Sequence, residues 1–238
     1  MNKYIQGQVD NGKYYVEIHY QEEERKSHHL HFVAYNFLVS NTSTSTKVRM
    51  TMDSSMGTES DLSLNDITQP APGDVPNFRR ILTHSRCHLY YAIFNIKEFF
   101  RSVLINDKDS CLRIVCVPAN LFSSPPTLKP TWRFFRNQAI PFGDNASGDY
   151  ATCAKVATVQ KFIKDSPPLL QPIILQAVLK DTNIDDRGVG AKSIAELFKV
   201  KQEIEPILDK GGLFYNQFLG TFQRKILSKY LGMAWDHL

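Results

Sequence analysis

The sequence predicts an α+β fold, and three observations carry that reading. First, Lys47-Val48-Arg49-Met50-Thr51-Met52-Asp53 alternates polar and apolar residues with period two, as a half-buried strand does. Second, Leu89 to Ile96 is an apolar run rich in aromatic and β-branched residues, which suits a buried strand. Third, two long stretches have helical character: about Asp149 to Lys164, and the segment after Ser193, where Ser193-x-x-Glu196 forms a capping box. Strands and helices alternate irregularly and no internal repeat is present, which argues against a regular parallel sheet.

The remaining elements follow in order. Tyr14-Tyr15-Val16-Glu17-Ile18 is a short strand candidate, and Glu22-Glu23-Glu24-Arg25-Lys26 is a solvated charge run. His28, His29 and His31 come next; in a strand His29 and His31 would share a face, but surface histidines are the better reading. Phe32 to Val39 reads as a strand, and 41–46 as a polar loop. Pro70 to Asp74 is rich in breakers, and Val75 to Arg86 places Phe78, Ile81 and Leu82 at helical spacing. One or two helical turns are expected over Lys97 to Arg101, and a strand over Cys111 to Val117. The four prolines between Pro118 and Pro130 mark a loop, with a strand after it from Trp132 to Asn137. Phe142 to Gly148 is a small-residue turn before the Asp149 helix. Pro167-Pro168 ends that helix, and a second one runs to about Leu179. The helix after Ser193 carries Ile194, Leu197, Phe198, Ile204, Ile207 and Leu208 and stops at Lys210-Gly211-Gly212. Leu213 to Phe218 and Tyr230 to Trp235 are the last two strands expected.

Composition narrows the class. With 238 residues, 42% hydrophobic and 22% charged, the chain has the make-up of a globular protein with one large domain or two lobes. No apolar run approaches the roughly 20 residues that span a bilayer, and Met1 to Tyr4 lacks the apolar core of a signal peptide. Cys87, Cys111, Cys116 and Cys153 show no paired ligand spacing, so reduced thiols in an intracellular setting, cytoplasmic or nuclear, are expected. A net charge of +4 permits nucleic-acid binding without requiring it.

The chemistry centres on Asn183-Ile184-Asp185-Asp186 and Phe94-Asn95-Ile96. Adjacent carboxylates at a turn can hold divalent metal, and magnesium takes hard oxygen ligands, usually one or two carboxylates with phosphate oxygens. A two-metal site needs carboxylates from at least two strands. The downstream pair is present, but the upstream position holds an amide. Taken alone, Asp185-Asp186 reads as a solvated turn, and its flanks, Lys180-Asp181-Thr182 before it and Arg187-Gly188 after it, lack the apolar residues expected around a buried metal-bearing hairpin. On the strand at 47–53, Lys47 and Arg49 share the outward face with Thr51 and Asp53; two cations so placed could hold a triphosphate, or form an ordinary exposed face.

In sequence order these segments resemble the reverse transcriptase of long-terminal-repeat retroelements (retrotransposons), most closely the BEL/Pao group, over roughly residues 30–236. Val48 to Ser55 is similar to the family's fingers strand, and Ser63-Leu64-Asn65-Asp66 with Pro72-Gly73 to the segment after it. Phe94-Asn95-Ile96-Lys97-Glu98-Phe99-Phe100 stands where the family has Ala-Asp-Ile-Glu-Lys-Met-Phe. Pro141-Phe142-Gly143 to Ser147 looks like the nucleotide-pocket turn, Asn183 to Asp186 stands in place of Tyr-Val-Asp-Asp, and Leu231 to Asp236 is similar to the strand near the primer grip.

The resemblance implies a right-hand polymerase fold with an antiparallel palm sheet. It places an N-terminal extension at 1–27, fingers at 28–88 and 104–145, and palm at 89–103 and 146–238, with the thumb absent. It implies magnesium on Asp185 and Asp186, phosphate contacts from Lys47 and Arg49, a pocket floor at Phe142 and Gly143, and Phe100 as the ring that excludes a ribose 2′-hydroxyl. Its partners would be deoxynucleotides and an RNA or DNA primer–template duplex. Asn95 replaces the metal-binding aspartate, Asn183 the usual tyrosine, and Gly148 a common proline. The expected state is therefore an inactive or strongly impaired polymerase. The alternative is a non-catalytic nucleic-acid-binding or scaffold module of α+β type.

Overall fold

The computed structural model describes residues 14–22, 29–39, 48–57, 61–69, 78–119, 131–220, 227–230 and 233–236. The chain divides into two compact units. One comprises residues 1–71 and 103–147, and the other residues 72–102 and 148–238.

The first unit holds a three-stranded antiparallel sheet of order β1-β6-β5, from β1 (Tyr15–Ile18), β5 (Ile114–Pro118) and β6 (Trp132–Asn137). Tyr15 lies opposite Asn137, and Ile114 opposite Arg136. Residues 15–18 therefore belong to this sheet. Beside it, β2 (Ala34–Val39) pairs with β3 (Val48–Asp53) as an antiparallel ribbon. Period two holds in β3: Met50 and Met52 are buried, while Arg49 and Asp53 are exposed. The core joins Tyr14, Tyr15, Val33, Met50, Met52, Leu64, Val115, Val117, Phe135 and Ala139.

The Ser63-Leu64-Asn65-Asp66 segment forms a single turn, α1 (Leu64–Ile67), closed by a capping box between Ser63 and Asp66. Leu64 is fully buried. Asn65 ties two loops together. Its backbone N–H donates to the Ser54 carbonyl (2.9 Å), its side-chain amide donates to the Gly143 carbonyl (3.2 Å), and its Oδ1 accepts from the Asn145 N–H (2.9 Å). The turn at 142–145 is fixed further by Asp144, a buried carboxylate that accepts from the Ser54 hydroxyl and from Arg113 Nε (2.6 Å). One further turn, α3 (Asp107–Ser110), is capped by Asn106 and precedes β5, so residues 111–113 are not strand as expected.

The second unit is built on a four-stranded antiparallel sheet of order β7-β8-β4-β9: β4 (Tyr90–Ile96), β7 (Thr182–Asn183), β8 (Asp186–Ala191) and β9 (Tyr215–Gly220). β4 is a near-continuous buried run because strands flank it on both sides. The helix α2 (Phe78–Arg86) belongs here, because Ile81 packs with Tyr91 and Ile93 of β4. The boundary between the two units falls near residue 72. Two glycines of β8 make room for bulky neighbours. A Cβ at Gly188 would stand 1.5 Å from the Tyr91 hydroxyl, and one at Gly190 would stand 2.1 Å from His88 Cδ2.

The helix α4 (Ser147–Phe162) buries Ala151, Lys155, Val159 and, just past its end, Ile163 at four-residue spacing. α5 (Gln171–Leu175) continues into a π-helical turn over Gln176–Lys180. α6 (Ile194–Asp209) buries Leu197, Val200, Ile204, Ile207 and Leu208, whereas Ile194 and Phe198 are exposed although their spacing placed them on the apolar face. Phe198 instead contacts the Phe218 ring, 5.8 Å between centroids. Ser193 caps α6 by accepting from the Glu196 N–H, while the Glu196 carboxylate accepts from the Lys192 N–H. The single strand expected over Tyr230 to Trp235 is instead a hairpin, β10 (Leu227–Tyr230) with β11 (Met233–Asp236). Among the described residues no helix is long and apolar enough to cross a membrane.

Candidate functional site: an amide-clamped carboxylate pair

Antiparallel pairing of β4 with β8 puts Asn95 directly opposite Asp186. The hairpin between β7 and β8 turns at Ile184 and Asp185, and it docks onto β4 through the Ile96 N–H, which donates to the Asp185 carbonyl (3.2 Å). Ile184 has φ +56°. That is the left-handed region, a strained choice for a β-branched residue. Lys155 supports the turn by donating from Nζ to the Ile184 carbonyl (3.3 Å).

Three predicted residues thus converge. The Asn95 side-chain amide donates one N–H to Asp185 Oδ2 (3.0 Å) and the other to Asp186 Oδ1 (2.9 Å). One –NH2 group therefore spends both donors on the two carboxylates.

Basic side chains are buried near the hairpin, which the sequence did not announce. Arg187 is fully buried, as are Asp181 and Thr182, while Lys180 is exposed and Asn183 to Asp186 are half-buried, so the hairpin rises from core residues to a partly solvated tip. The Arg187 guanidinium lies 6.0 Å from the Phe94 ring centre, and faces the Tyr215 hydroxyl without an aligned hydrogen bond. Lys155 is 2% exposed, 5.7 Å from the Phe99 ring centre. Burial, then the Arg187 charge, pushes the Lys155 ammonium down to about 6, against a smaller pull upward from Asp185. Burial likewise lowers Arg187 and raises Tyr215, whose ring packs edge-on against Phe94 (4.9 Å, 73°). Phe94 also stacks on Phe218 at 6.3 Å. The i, i+4 stripe of Ala151, Val159 and Ile163 was the signal that could have found Lys155.

The other predicted residues distribute as follows. Arg49 is exposed on β3 opposite Leu38, while Lys47 lies outside the described residues. Phe142 and Gly143 form the turn at the far end of that strand, where the Met52 N–H donates to the Phe142 carbonyl (2.7 Å). Strand rise sets Arg49 and Met52 about 10 Å apart along β3. Gly143 has φ +119°, and a Cβ there would fall 1.8 Å from the Met52 carbonyl oxygen. Gly143→Ala is therefore expected to destabilise the chain by about 3 kcal/mol, read as a lower denaturant midpoint; an unchanged midpoint would show that the turn can move. Phe100 follows β4 in a short 3-10 turn and stacks on Phe99, 6.1 Å between centroids. At Gly148 a Cβ would meet nothing within 4 Å, so the site has room for a larger residue. Among the described residues no group of three His, Cys, Asp or Glu side chains is placed to hold a metal ion.

Comparison with known proteins gives a fold relationship alone. No family model matches the sequence, and no curated protein matches it. Among solved structures, the foamy viral protease-reverse transcriptase in complex with double-stranded DNA is similar at TM-score 0.61 and 12% identity, covering 96% of this chain and 32% of that one. The fold is thus reverse-transcriptase-like, and the chain spans about a third of the length of that neighbour.

Proposed function

We propose that this chain is a reverse-transcriptase-type protein of retroelement origin, of the BEL/Pao kind by its motifs, that binds a primer–template duplex inside the cell and has lost most or all nucleotidyl transfer. The observation that carries the reading is the Asn95 clamp. Asp185 and Asp186 are the residues that would hold magnesium, which supplies the Lewis acid of nucleotidyl transfer. The donor set does not fit a pair of such ions. It offers two carboxylates where two metals need ligands from a third, and those two already accept from Asn95. The buried Arg187 guanidinium is near enough to act on Asp185 electrostatically. Four free cysteines agree with a reducing compartment. The foamy viral neighbour was captured on double-stranded DNA, and Arg49 on its exposed strand face offers this chain a phosphate contact.

Fluorescence anisotropy with a labelled primer–template tests the binding half. Affinity is expected to fall steeply with added salt, as counterion release requires. Arg49→Ala is expected to weaken it several-fold and reduce the salt slope by about one. Absence of binding at low salt, or affinity indifferent to salt, would overturn this half and leave a scaffold module.

A further inference from the structure

A cavity of about 210 Å³ in the second unit is lined by His84, His88, Gln176, Asp181, Val189 and Gly190, among others. His84 sits in the last turn of α2, and His88 lies in the corner before β4. Their Nε2 atoms are 3.3 Å apart. Their rings are nearly perpendicular, at 80°, with centroids 4.8 Å apart. A head-on N–H···N bond of that length would push the ring centres farther apart, because a ring radius adds at each end. The two nitrogens therefore do not meet head-on. Two nitrogens each about 2.0–2.1 Å from a tetrahedral ion are separated by about 3.3 Å, the spacing found here.

The far side of His84 is arranged to match. Its Nδ1 contacts the Asp181 carboxylate at 2.8 Å. Asp181 is 1% exposed and also accepts from Gln176 Nε2 at 3.2 and 3.3 Å. That contact is close but not an aligned hydrogen bond; a proton held on Nδ1 beside the carboxylate would leave Nε2 free as a ligand, as partner groups behind metal-bound imidazoles do. Gly190 lacks the Cβ that would collide with the His88 ring, so β8 leaves that imidazole its place.

We propose that His84 and His88 form a two-imidazole site for a late first-row divalent cation of the zinc class, oriented by Asp181, with water filling the remaining positions. Imidazole suits zinc, copper and nickel and does not suit magnesium, so this site is chemically distinct from the carboxylate hairpin. In the metal-free protein one N–H lies between the two Nε2 atoms. A neutral imidazole carries a single N–H, so for the ion to take both Nε2 lone pairs that proton shifts to His88 Nδ1.

The test is titration of the full chain with Zn2+ in excess Mg2+, followed by a competing chromophoric chelator, and with Co2+ followed by visible absorption. One Zn2+ per chain is expected, and Co2+ should give the absorption of a nitrogen-ligated ion. His88→Ala is expected to lower affinity at least tenfold, and Asp181→Asn by about 10- to 100-fold. Cys87→Ser and Asp185→Asn are expected to leave it unchanged. His88→Gln provides a second removal of the ligand should the alanine variant fold poorly, with circular dichroism as the check. Absence of binding, full affinity in both His88 variants, or loss of binding in Cys87→Ser would each overturn the proposal. None of these outcomes depends on whether the chain binds a duplex.

Discussion

Asn95→Asp is expected to convert a chain with little or no magnesium-dependent primer extension into one that extends a primer measurably, by orders of magnitude over the natural sequence. The substitution exchanges an –NH2 for an oxygen at nearly constant volume. It removes both N–H donors to Asp185 and Asp186 and adds a third carboxylate on the neighbouring strand, opposite Asp186. Without metal, three close carboxylates repel; with two dications they become ligands. The gain has the scale of restoring one member of a catalytic unit, about 10³-fold or more. Asp185→Asn placed on top of Asn95→Asp is expected to abolish the gain. If the natural chain extends a primer as well as the Asn95→Asp variant, the amide is not the lesion. If neither extends a primer while both bind duplex, the loss lies elsewhere in the chain.

Lys155→Met is expected to flatten the pH dependence of stability. Burial lowers the folded-state ammonium from 10.5 to about 6. Between those values the unfolded chain binds the proton and the folded chain does not. Stability therefore rises with pH across that window, and the full penalty applies below about 6. The slope from one such group is at most about 1.4 kcal/mol per pH unit. Methionine keeps the length and removes the charge, so urea midpoints from about pH 6.5 to pH 9 should vary less in the variant, with the larger advantage over the natural chain at the acid end. Groups common to both proteins, such as His88 with its burial-lowered value, cancel in the difference. Parallel curves for the two proteins would mean that Lys155 keeps its proton when folded.

What could be read from the sequence depended on whether a residue obeyed its usual solvent preference. Met50 and Met52 alternate with Arg49 and Asp53, so β3 was legible along with its exposed face. The capping box at Ser193 located α6. Asn95 and Asp185 lie 90 residues apart in sequence, and only the order of motifs brought them together. The environment of the hairpin was not legible, because Arg187, Lys155 and Asp181 are charged residues in the core. Charged flanks normally mark a solvated turn, and here that rule gave the wrong surroundings for Asp181 and Arg187. The roles of Asn65 and Asp144 were hidden for another reason. Both act through loop-to-loop hydrogen bonds with partners far along the chain, which no local periodicity records.

The glycines of β8 carry a consequence for how this sequence can drift. Gly188 yields its side-chain space to the Tyr91 hydroxyl, and Gly190 yields its own to the His88 ring. Each couple holds the volume of one large side chain between two positions, so a bulkier residue in β8 is tolerable only when its opposite number shrinks. Across diverging copies of this chain, columns 91 and 188, and likewise 88 and 190, should therefore covary, with compensating sizes and few intermediates. The single mutants on either path would be the overpacked ones.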